Sequence, residues 1–335
     1  MKNTPLVRLT DKGLFCEIGG FYVDPSKSVD KALITHAHSD HARPGSHSYL
    51  TVKQGELLLK QRLGSRINLQ TVKYSDEIYL NGVRVSFHPA GHILGSAQIR
   101  IEFKGEVWVI SGDYKLEKDL TCEKFEPVKC NTFITESTFG LPIFKWSSQS
   151  RVFKEINSWW RQNKDSDTIS IIFGYALGKA QRIISGLDPS IGTIYAHPAV
   201  EIINQCYRNT GVNLPETKNI SELAGKDPPP CALIIAPPST DIIQMIGKHR
   251  DFSSAFASGW MQIRKNRKRN SFDRGFSLSD HADWEGLLQA VKETEAENIL
   301  ITHGYSSQLS KWFCENGFNA GVLESSLNGE GENYS

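Results

Sequence analysis

In the first third of the chain, apolar positions recur every second residue in short runs, the period of a half-buried strand. Residues 14–18 and 21–23 flank Gly19-Gly20, 77–80 and 83–88 flank Asn81-Gly82, and 97–103 and 106–110 flank Lys104-Gly105. The pair around Asn81-Gly82 predicts a hairpin. Asn81-Gly82 is the residue pair that a tight turn with two positive φ angles favours. A helical stretch at 54–63 interrupts these strands. After residue 150 the rhythm changes. Helices over 150–162, 177–187, 198–209 and 242–247 alternate with strands over 168–173, 193–196, 232–236 and 254–257. Such alternation predicts an α/β layer on a mostly parallel sheet. The last stretch predicts a helix over 280–292, with Trp284, Leu287, Leu288 and Val291 on one face. A strand over 298–302 and a helix over 306–316, ended by Gly317, follow. Asp227-Pro-Pro-Pro230 is a stiff connector, and the polar tail after about residue 324 is expected to be loose.

Composition narrows the class. The 335 residues are 39% hydrophobic and 22% charged, ordinary for a globular chain of two domains or one large one. Lys and Arg number 38 against 37 Asp and Glu, a net charge of +1. That balance excludes coating of nucleic acid by bulk charge but not a local basic groove. No apolar run reaches the ~20 residues of a membrane helix. The opening Met-Lys-Asn-Thr-Pro-Leu lacks the apolar core of a signal peptide. The six cysteines are scattered without a Cys-x-x-Cys pair and read as reduced thiols. Together these features predict a cytoplasmic protein with no membrane partner.

The chemistry lies in the histidines. His36-Ala-His38-Ser-Asp40-His41 follows the apolar strand Ala32-Leu-Ile34 and opens the loop Ala42-Arg-Pro-Gly45. Imidazole and carboxylate are the ligands zinc prefers. In an extended loop His36 and His38 point the same way and can grip one ion, with Asp40 and His41 turned toward a second. Three further segments repeat one arrangement, an apolar strand, a small residue or glycine, then a ligand type. They end in His92, Asp113 and His303. Seven groups suffice for two ions if one bridges, and a carboxylate bridges best, so Asp113 is the natural bridge. The ions would sit ~3.5–4 Å apart, the spacing that clamps an in-line phosphoryl displacement. Asp24, before Pro25, either anchors a ligand histidine from behind or caps a turn. Glu136 lies past a strand. His281 begins the amphipathic helix; a carboxylate-held histidine suits general-acid work, but a helix N-terminal residue is the equal reading. His47, His88, His197 and His249 have no partner pattern and read as structural.

In combination these motifs resemble the metallo-β-lactamase-fold nucleases of the β-CASP group, relatives of Artemis and of the pre-mRNA 3′-end-processing endonuclease. The resemblance is nearest to the bacterial ligase-associated DNA exonucleases. Tyr22-Val-Asp-Pro25, Ile34-Thr-His-Ala-His-Ser-Asp-His-Ala-Arg-Pro-Gly45 and Pro89-Ala-Gly-His-Ile-Leu-Gly-Ser96 carry it. So do Thr135-Glu-Ser-Thr-Phe-Gly140, Ala257-Ser-Gly-Trp-Met261 and Asp273-Arg-Gly-Phe-Ser-Leu-Ser-Asp-His-Ala-Asp-Trp284. The resemblance implies an αββα sandwich at residues 1–145 and 270–335, split by a β-CASP α/β insert at 146–269. It implies that His36, His38 and His92 hold one metal, Asp40, His41 and His303 the other, and that Asp113 bridges. Glu136 and His281 resemble the carboxylate–histidine pair near the leaving group, so Asp40, Glu136 and His281 are the candidate catalytic residues. Two divalent ions, zinc or else manganese, would be the cofactors.

The implied function is phosphodiester hydrolysis by a two-metal-activated water: a DNA exonuclease, single-strand endonuclease, or both, in DNA repair. Single-stranded or end-bearing DNA would be the partner, alongside an ATP-dependent DNA ligase and a helicase. Arg264, Lys265, Arg267, Lys268 and Arg269, in a six-residue run, would neutralise phosphates near the cleft. Lys179, in the glycine-rich Gly174-Tyr-Ala-Leu-Gly-Lys-Ala-Gln181, would help hold a phosphate at a helix start. One competing reading is an RNA nuclease of mRNA 3′-end processing or decay. Another is a small-molecule metallohydrolase, against which the insert and the basic run argue. A third, a non-catalytic nucleic-acid clamp, sits poorly with a full ligand set.

Overall fold

The computed structural model describes residues 5–223, 226–229, 231–238, 240, 242, 251–263 and 272–323. The chain divides into two compact units, one of Met1–Lys118, Glu123–Ile143 and His281–Ser335, the other of Asp119–Cys122 and Phe144–Asp280.

The first unit opens with β1 (Arg8–Thr10), β2 (Gly13–Cys16), β3 (Phe21–Val23), β4 (Lys31–Leu33) and β5 (Ser48–Val52). Helix α1 (Glu56–Leu63) then leads to β6 (Leu69–Val72), and these six strands form one sheet in sequence order. Next come β7 (Ile78–Leu80), β8 (Val83–Pro89), β9 (Ala97–Phe103), β10 (Glu106–Ile110) and β11 (Thr132–Ser137). Two of their connections are tight turns, and the first is the one the sequence predicts. Asn81 and Gly82 take φ of 49° and 81°, and Lys104 and Gly105 take 51° and 85°. That pair of left-handed residues matches the twist of the strands it joins.

The second unit holds α2 (Gln149–Asp165), β12 (Ile169–Phe173), α3 (Lys179–Ser185), β13 (Ile194–Ala196), α4 (Pro198–Asn209), β14 (Lys218–Asn219), β15 (Leu233–Ala236), β16 (Phe252–Ala257) and β17 (Arg274–Phe276). Its sheet is wholly parallel, in the order β14-β13-β15-β12-β16-β17. Strand β12 lies centrally and is buried along its whole length, as a parallel strand between neighbours must be. The expected helix at 242–247 lies, apart from residue 242, outside the described residues.

The first unit closes with α5 (Trp284–Thr294), β18 (Asn298–Gly304), α6 (Ser306–Glu315) and β19 (Asn319–Val322). Strands β18 and β19 extend the second sheet to the order β19-β18-β11-β10-β9-β8-β7. Side-chain alternation sends residues of this sheet into two cores. Trp108, Ile110 and Ile134 join a core shared with Leu33, Leu50 and Val52 of the first sheet. Val109, Phe133, Ile299 and Ile301 point the other way, against Trp284, Leu287 and Val291 of α5 and Leu309 and Phe313 of α6. Burying apolar area on both faces, at ~25 cal/mol per Å², holds the layers together. The fold is a mixed α/β one, an αββα metallo-β-lactamase sandwich with a β-CASP-type α/β unit.

Helix α5 starts later than the periodicity predicts. Asp283 caps it by accepting from the Gly286 amide at 2.9 Å. Residues 280–283 therefore lie before the helix, and His281 stands on that stretch rather than on a helical turn.

Candidate metal centre

The predicted ligands come from strand ends of the first unit. His36, His38, Asp40 and His41 lie in the turn after β4, which closes through the His41 and Ala42 amides donating to the His38 carbonyl. His92 sits in the loop between β8 and β9. Gly91 makes that loop possible. Its φ is +75°, and a Cβ there would meet the Lys115 carbonyl oxygen at 2.1 Å, so only glycine fits. Asp113 follows β10, Glu136 lies on β11 and His303 on β18.

The ring nitrogens converge. His36 Nε2 lies 3.2 Å and His92 Nε2 3.0 Å from His38 Nδ1. The same two Nε2 atoms lie 3.4 and 3.6 Å from Asp113 Oδ2. One nitrogen offers a single proton or a single lone pair, so His38 Nδ1 cannot satisfy both rings by hydrogen bonding. A cation amid the four atoms satisfies all of them. Tetrahedral ligands at 2.0–2.1 Å from zinc are about 3.3 Å from one another, close to the spacings found here. His41 Nε2 lies 3.5 Å from Asp113 Oδ2 and 3.6 Å from Asp40 Oδ2, and His303 Nε2 lies 3.3 Å from Asp113 Oδ1. That Oδ1 atom is buried and has no well-formed hydrogen-bond partner among the described residues. The His/Asp clusters fit a dinuclear metal site with Asp113 common to both groups of ligands.

Residues behind the ligands fix their tautomers. Thr35 donates its hydroxyl to Asp24 Oδ2 at 2.6 Å, and its amide donates to Oδ1 at 2.8 Å. With its proton spent, the Thr35 oxygen can only accept from His36 Nδ1, 3.0 Å away. His36 Nε2 is then the atom with a lone pair. His41 Nδ1 donates to Asp24 Oδ2 at 2.7 Å, which leaves Nε2 as the nitrogen facing the cluster. Asp24, at φ 43°, thus serves two candidate ligand histidines at once. Sequence reading singled out Asp24 but not Thr35, whose only signal is its place between the strand and His36.

The electrostatics favour bound positive charge. Burial opposes a proton on His41, but Asp113, Asp24 and Asp40 outweigh it and push its pKa up to about 10. Burial also works against the Asp113 carboxylate, and His41, His281 and neighbouring rings nonetheless hold its pKa well below the usual range. His92 goes the other way. Burial, helped by His281 and His36, drives its pKa well below that of free histidine, leaving a neutral ring with a lone pair.

Glu136 and His281 form a second pairing beside this cluster. Glu136 is buried and accepts the Tyr114 amide at 2.8 Å. His281 Nδ1 approaches its two oxygens at 2.9 and 3.1 Å. A carboxylate can only accept, so Nδ1 carries the proton and Nε2 is the working nitrogen. Asp113, Glu136 and His281 offer ligand-type atoms within 4.8 Å of one another.

Lys179 stands elsewhere than a phosphate contact requires, and that expectation is corrected. Its ammonium is buried at 3% exposure, donates to the Leu278 carbonyl at 2.8 Å and pairs with Asp280 at 3.0 Å. The Gly178 amide at the start of α3 is taken by Gln181 Oε1. Arg264, Lys265, Arg267, Lys268 and Arg269 lie outside the described residues. His197 caps α4 by accepting the Ala199 amide, and His88 Nε2 meets Ser86 Oγ at 3.0 Å, both structural positions. Among the described residues no helix is long and apolar enough to cross a membrane.

Fold and site together define a metallo-β-lactamase sandwich with a β-CASP-type unit and a histidine- and aspartate-rich cluster that fits a metal centre. No family model matches the chain. It is similar to a protein of Opitutus terrae named "Probable DNA ligase", 26% identical over 317 residues, 93% of this chain and 30% of that protein. It is 22% identical to cleavage and polyadenylation specificity factor subunit 3 of Dictyostelium discoideum, over 87% of this chain and 43% of that protein. It is 23% identical to endoribonuclease YSH1 of Saccharomyces cerevisiae, over 87% of this chain and 45% of that one. The chain thus spans less than half the length of these curated relatives. A solved structure, a protein of unknown function from Enterococcus faecalis V583, shares the fold with a TM-score of 0.55 at 13% identity, over 88% of this chain and 79% of the other.

Proposed function

We propose that the chain is a metal-dependent nuclease that hydrolyses phosphodiester bonds of DNA, as an exonuclease, a single-strand endonuclease, or both. The observation that carries this reading is the placement of Asp113. It lies within 3.6 Å of His36, His41, His92 and His303 and close to the Glu136–His281 pair. Two divalent ions, when bound, supply Lewis-acid charge for the phosphoryl oxygens and acidify water. The chain's own residues do the rest. His36, His38, Asp40, His41, His92, Asp113 and His303 hold the ions. Thr35 and Asp24 set the ring orientations. Glu136 holds His281 through Nδ1 and favours a proton on Nε2, from which His281 delivers it to the departing oxygen. In this reading the β-CASP insert expected at 146–269 corresponds to the second unit, which extends to Asp280 and takes in β17, and the sandwich expected at 1–145 and 270–335 corresponds to the first.

The DNA assignment is supported by the relative named for DNA ligase, which matches over 93% of this chain. It supports a DNA ligase as a proposed functional partner, and a helicase is proposed beside it by the family resemblance alone. RNA cleavage is the second reading, favoured by the endoribonuclease and polyadenylation-factor relatives, each matching over 87% of the chain. One assay separates them: 5′- and 3′-labelled DNA and RNA, single- and double-stranded, with zinc or manganese titrated in. Faster cleavage of DNA is expected. Wild-type cleavage by Asp113→Ala or His38→Ala would end the metal scheme, and a clear preference for RNA would replace DNA as the substrate.

A further inference from the structure

Beside the metal centre, and sharing Asp40 with it, the first unit has an open depression of about 490 Å³. Its lining includes Lys27, Arg43 and Arg62, with Ser26, Ser28 and Ser39. Lys27 is paired with Asp11 at 3.1 Å across the surface. Arg43 and Arg62 form no ion pair among the described residues. The contrast within α1 is informative, because Lys60 and the preceding Lys53 both pair with Glu56 while Arg62 reaches the depression instead. An arginine fork presents donors that match the oxygens of a phosphate, and a weakly hydrated guanidinium gives up its water at lower cost than an ammonium.

The depression is held in shape before any ligand arrives. The buried Tyr49 donates its hydroxyl to the Arg43 carbonyl at 2.9 Å and accepts the Ser46 amide at 2.8 Å. The Val29 amide donates to Ser46 Oγ and the His47 amide to the Val29 carbonyl, which ties the 26–29 segment to the 43–47 segment. The two approach so closely at Gly45 that a Cβ there would lie 2.4 Å from Ser28 Oγ. Arg43 follows His41 by two residues in the same turn, so a group bound at the depression has a fixed relation to the metal ligands.

We propose that this depression is a phosphate subsite for the nucleic-acid strand, holding a phosphate next to the scissile one through Arg43 and Arg62 with Lys27 and the serine hydroxyls in support. The proposal rests on the nuclease reading. The bound group is either an internal diester or a terminal monophosphate, which share this chemistry and separate in the test.

The test uses zinc-loaded protein and a fluorescent single-stranded oligonucleotide with phosphorothioate linkages, a probe that resists cleavage, bearing a 5′-phosphate, a 3′-phosphate or hydroxyl ends. Anisotropy is followed as salt is raised. Each lost phosphate contact reduces the slope of log K against log salt by about 0.7 for single strands, so Arg43→Ala/Arg62→Ala should lower it by about 1.4. Affinity near 0.1 M salt should fall about tenfold, and Arg43→Lys/Arg62→Lys should recover part of it. Loss confined to one phosphorylated end identifies a terminal phosphate, and equal loss on all three probes an internal one. Turnover of bis(p-nitrophenyl) phosphate, which has no second phosphate to place in the depression, should be unchanged by the double variant. That arm judges the nuclease reading separately, since failure of the wild-type protein to turn it over counts against the metal chemistry and not against the subsite. Unchanged affinity and slope on all three probes would overturn the subsite.

Discussion

A single hydroxyl decides which nitrogen of His36 faces the cluster. Thr35 gives its proton to Asp24 and accepts one from His36, so the ring is held in one tautomer. Thr35→Val keeps the shape and removes that relay. Orienting partners of metal-ligating histidines contribute about 10–100-fold to affinity, so zinc binding measured by chelator competition should weaken by that factor. Unchanged affinity would show that the relay is incidental. His41 supports a second expectation at this scale. A histidine with a pKa near 10 is protonated at neutral pH, and a metal must displace that proton. His92, with its pKa well below that of free histidine, has none to give. Zinc titrations in buffers of different ionisation enthalpy should therefore show proton release at pH 7.5, with affinity rising roughly tenfold per pH unit up to pH 9. His41→Ala should release about one proton fewer, and equal release by both proteins would refute the assignment.

At the scale of the element, α3 carries two cations into the core of the second unit. Lys179 meets Asp280, and Arg182 meets Asp280 and Asp119, all of them buried. Burial lowers the Lys179 pKa, Asp280 raises it, Arg182 lowers it again, and the net value is about 8 against 10.5 when unfolded. Between those values the unfolded chain binds more protons, so this group makes stability rise with pH there and costs stability below pH 8. Between pH 7.5 and 9.5 the wild-type protein should gain on the order of 2 kcal/mol relative to Lys179→Met in urea titrations. A pH-independent difference would mean that Lys179 keeps an ordinary pKa.

The same helix shows where sequence reading ends. Gly178-Lys179 at a helix start suggests a phosphate cradle, but a carboxylate from a distant segment claims the ammonium, and no local pattern announces that. Thr35 was illegible for the same reason, because its role depends on Asp24 across the turn. Asn81-Gly82 was legible because a tight turn is decided by the two residues in it. The strand-end positions of His36, His92, Asp113 and His303 were also legible, because each pairs an apolar run with a metal-ligand type. The two-core layering of the second sheet follows from the alternation of Trp108, Val109 and Ile110, although the partner of each face could be known only from the fold.

Across the whole molecule, the candidate ligands run from His36 to His303 in sequence yet all belong to the first compact unit. Bound metal would join the ends of β4, β10 and β18 and the β8–β9 loop to one another, and the second unit contributes none of these groups. Net charge of +1 therefore says little about the site, since two ions would add four positive charges that the formal count omits. It follows that metal should stabilise the two units unequally. At a free-metal concentration about 100 times the dissociation constant, binding adds about 2.7 kcal/mol to the unit that holds it. For a domain of this size that raises Tm by about 5–10 °C. Scanning calorimetry of zinc-loaded protein before and after chelation should show one component moving down by that amount while another stays in place. The moving component should be fixed in the Asp113→Ala variant. Both components moving together, or neither, would contradict a metal centre confined to the first unit.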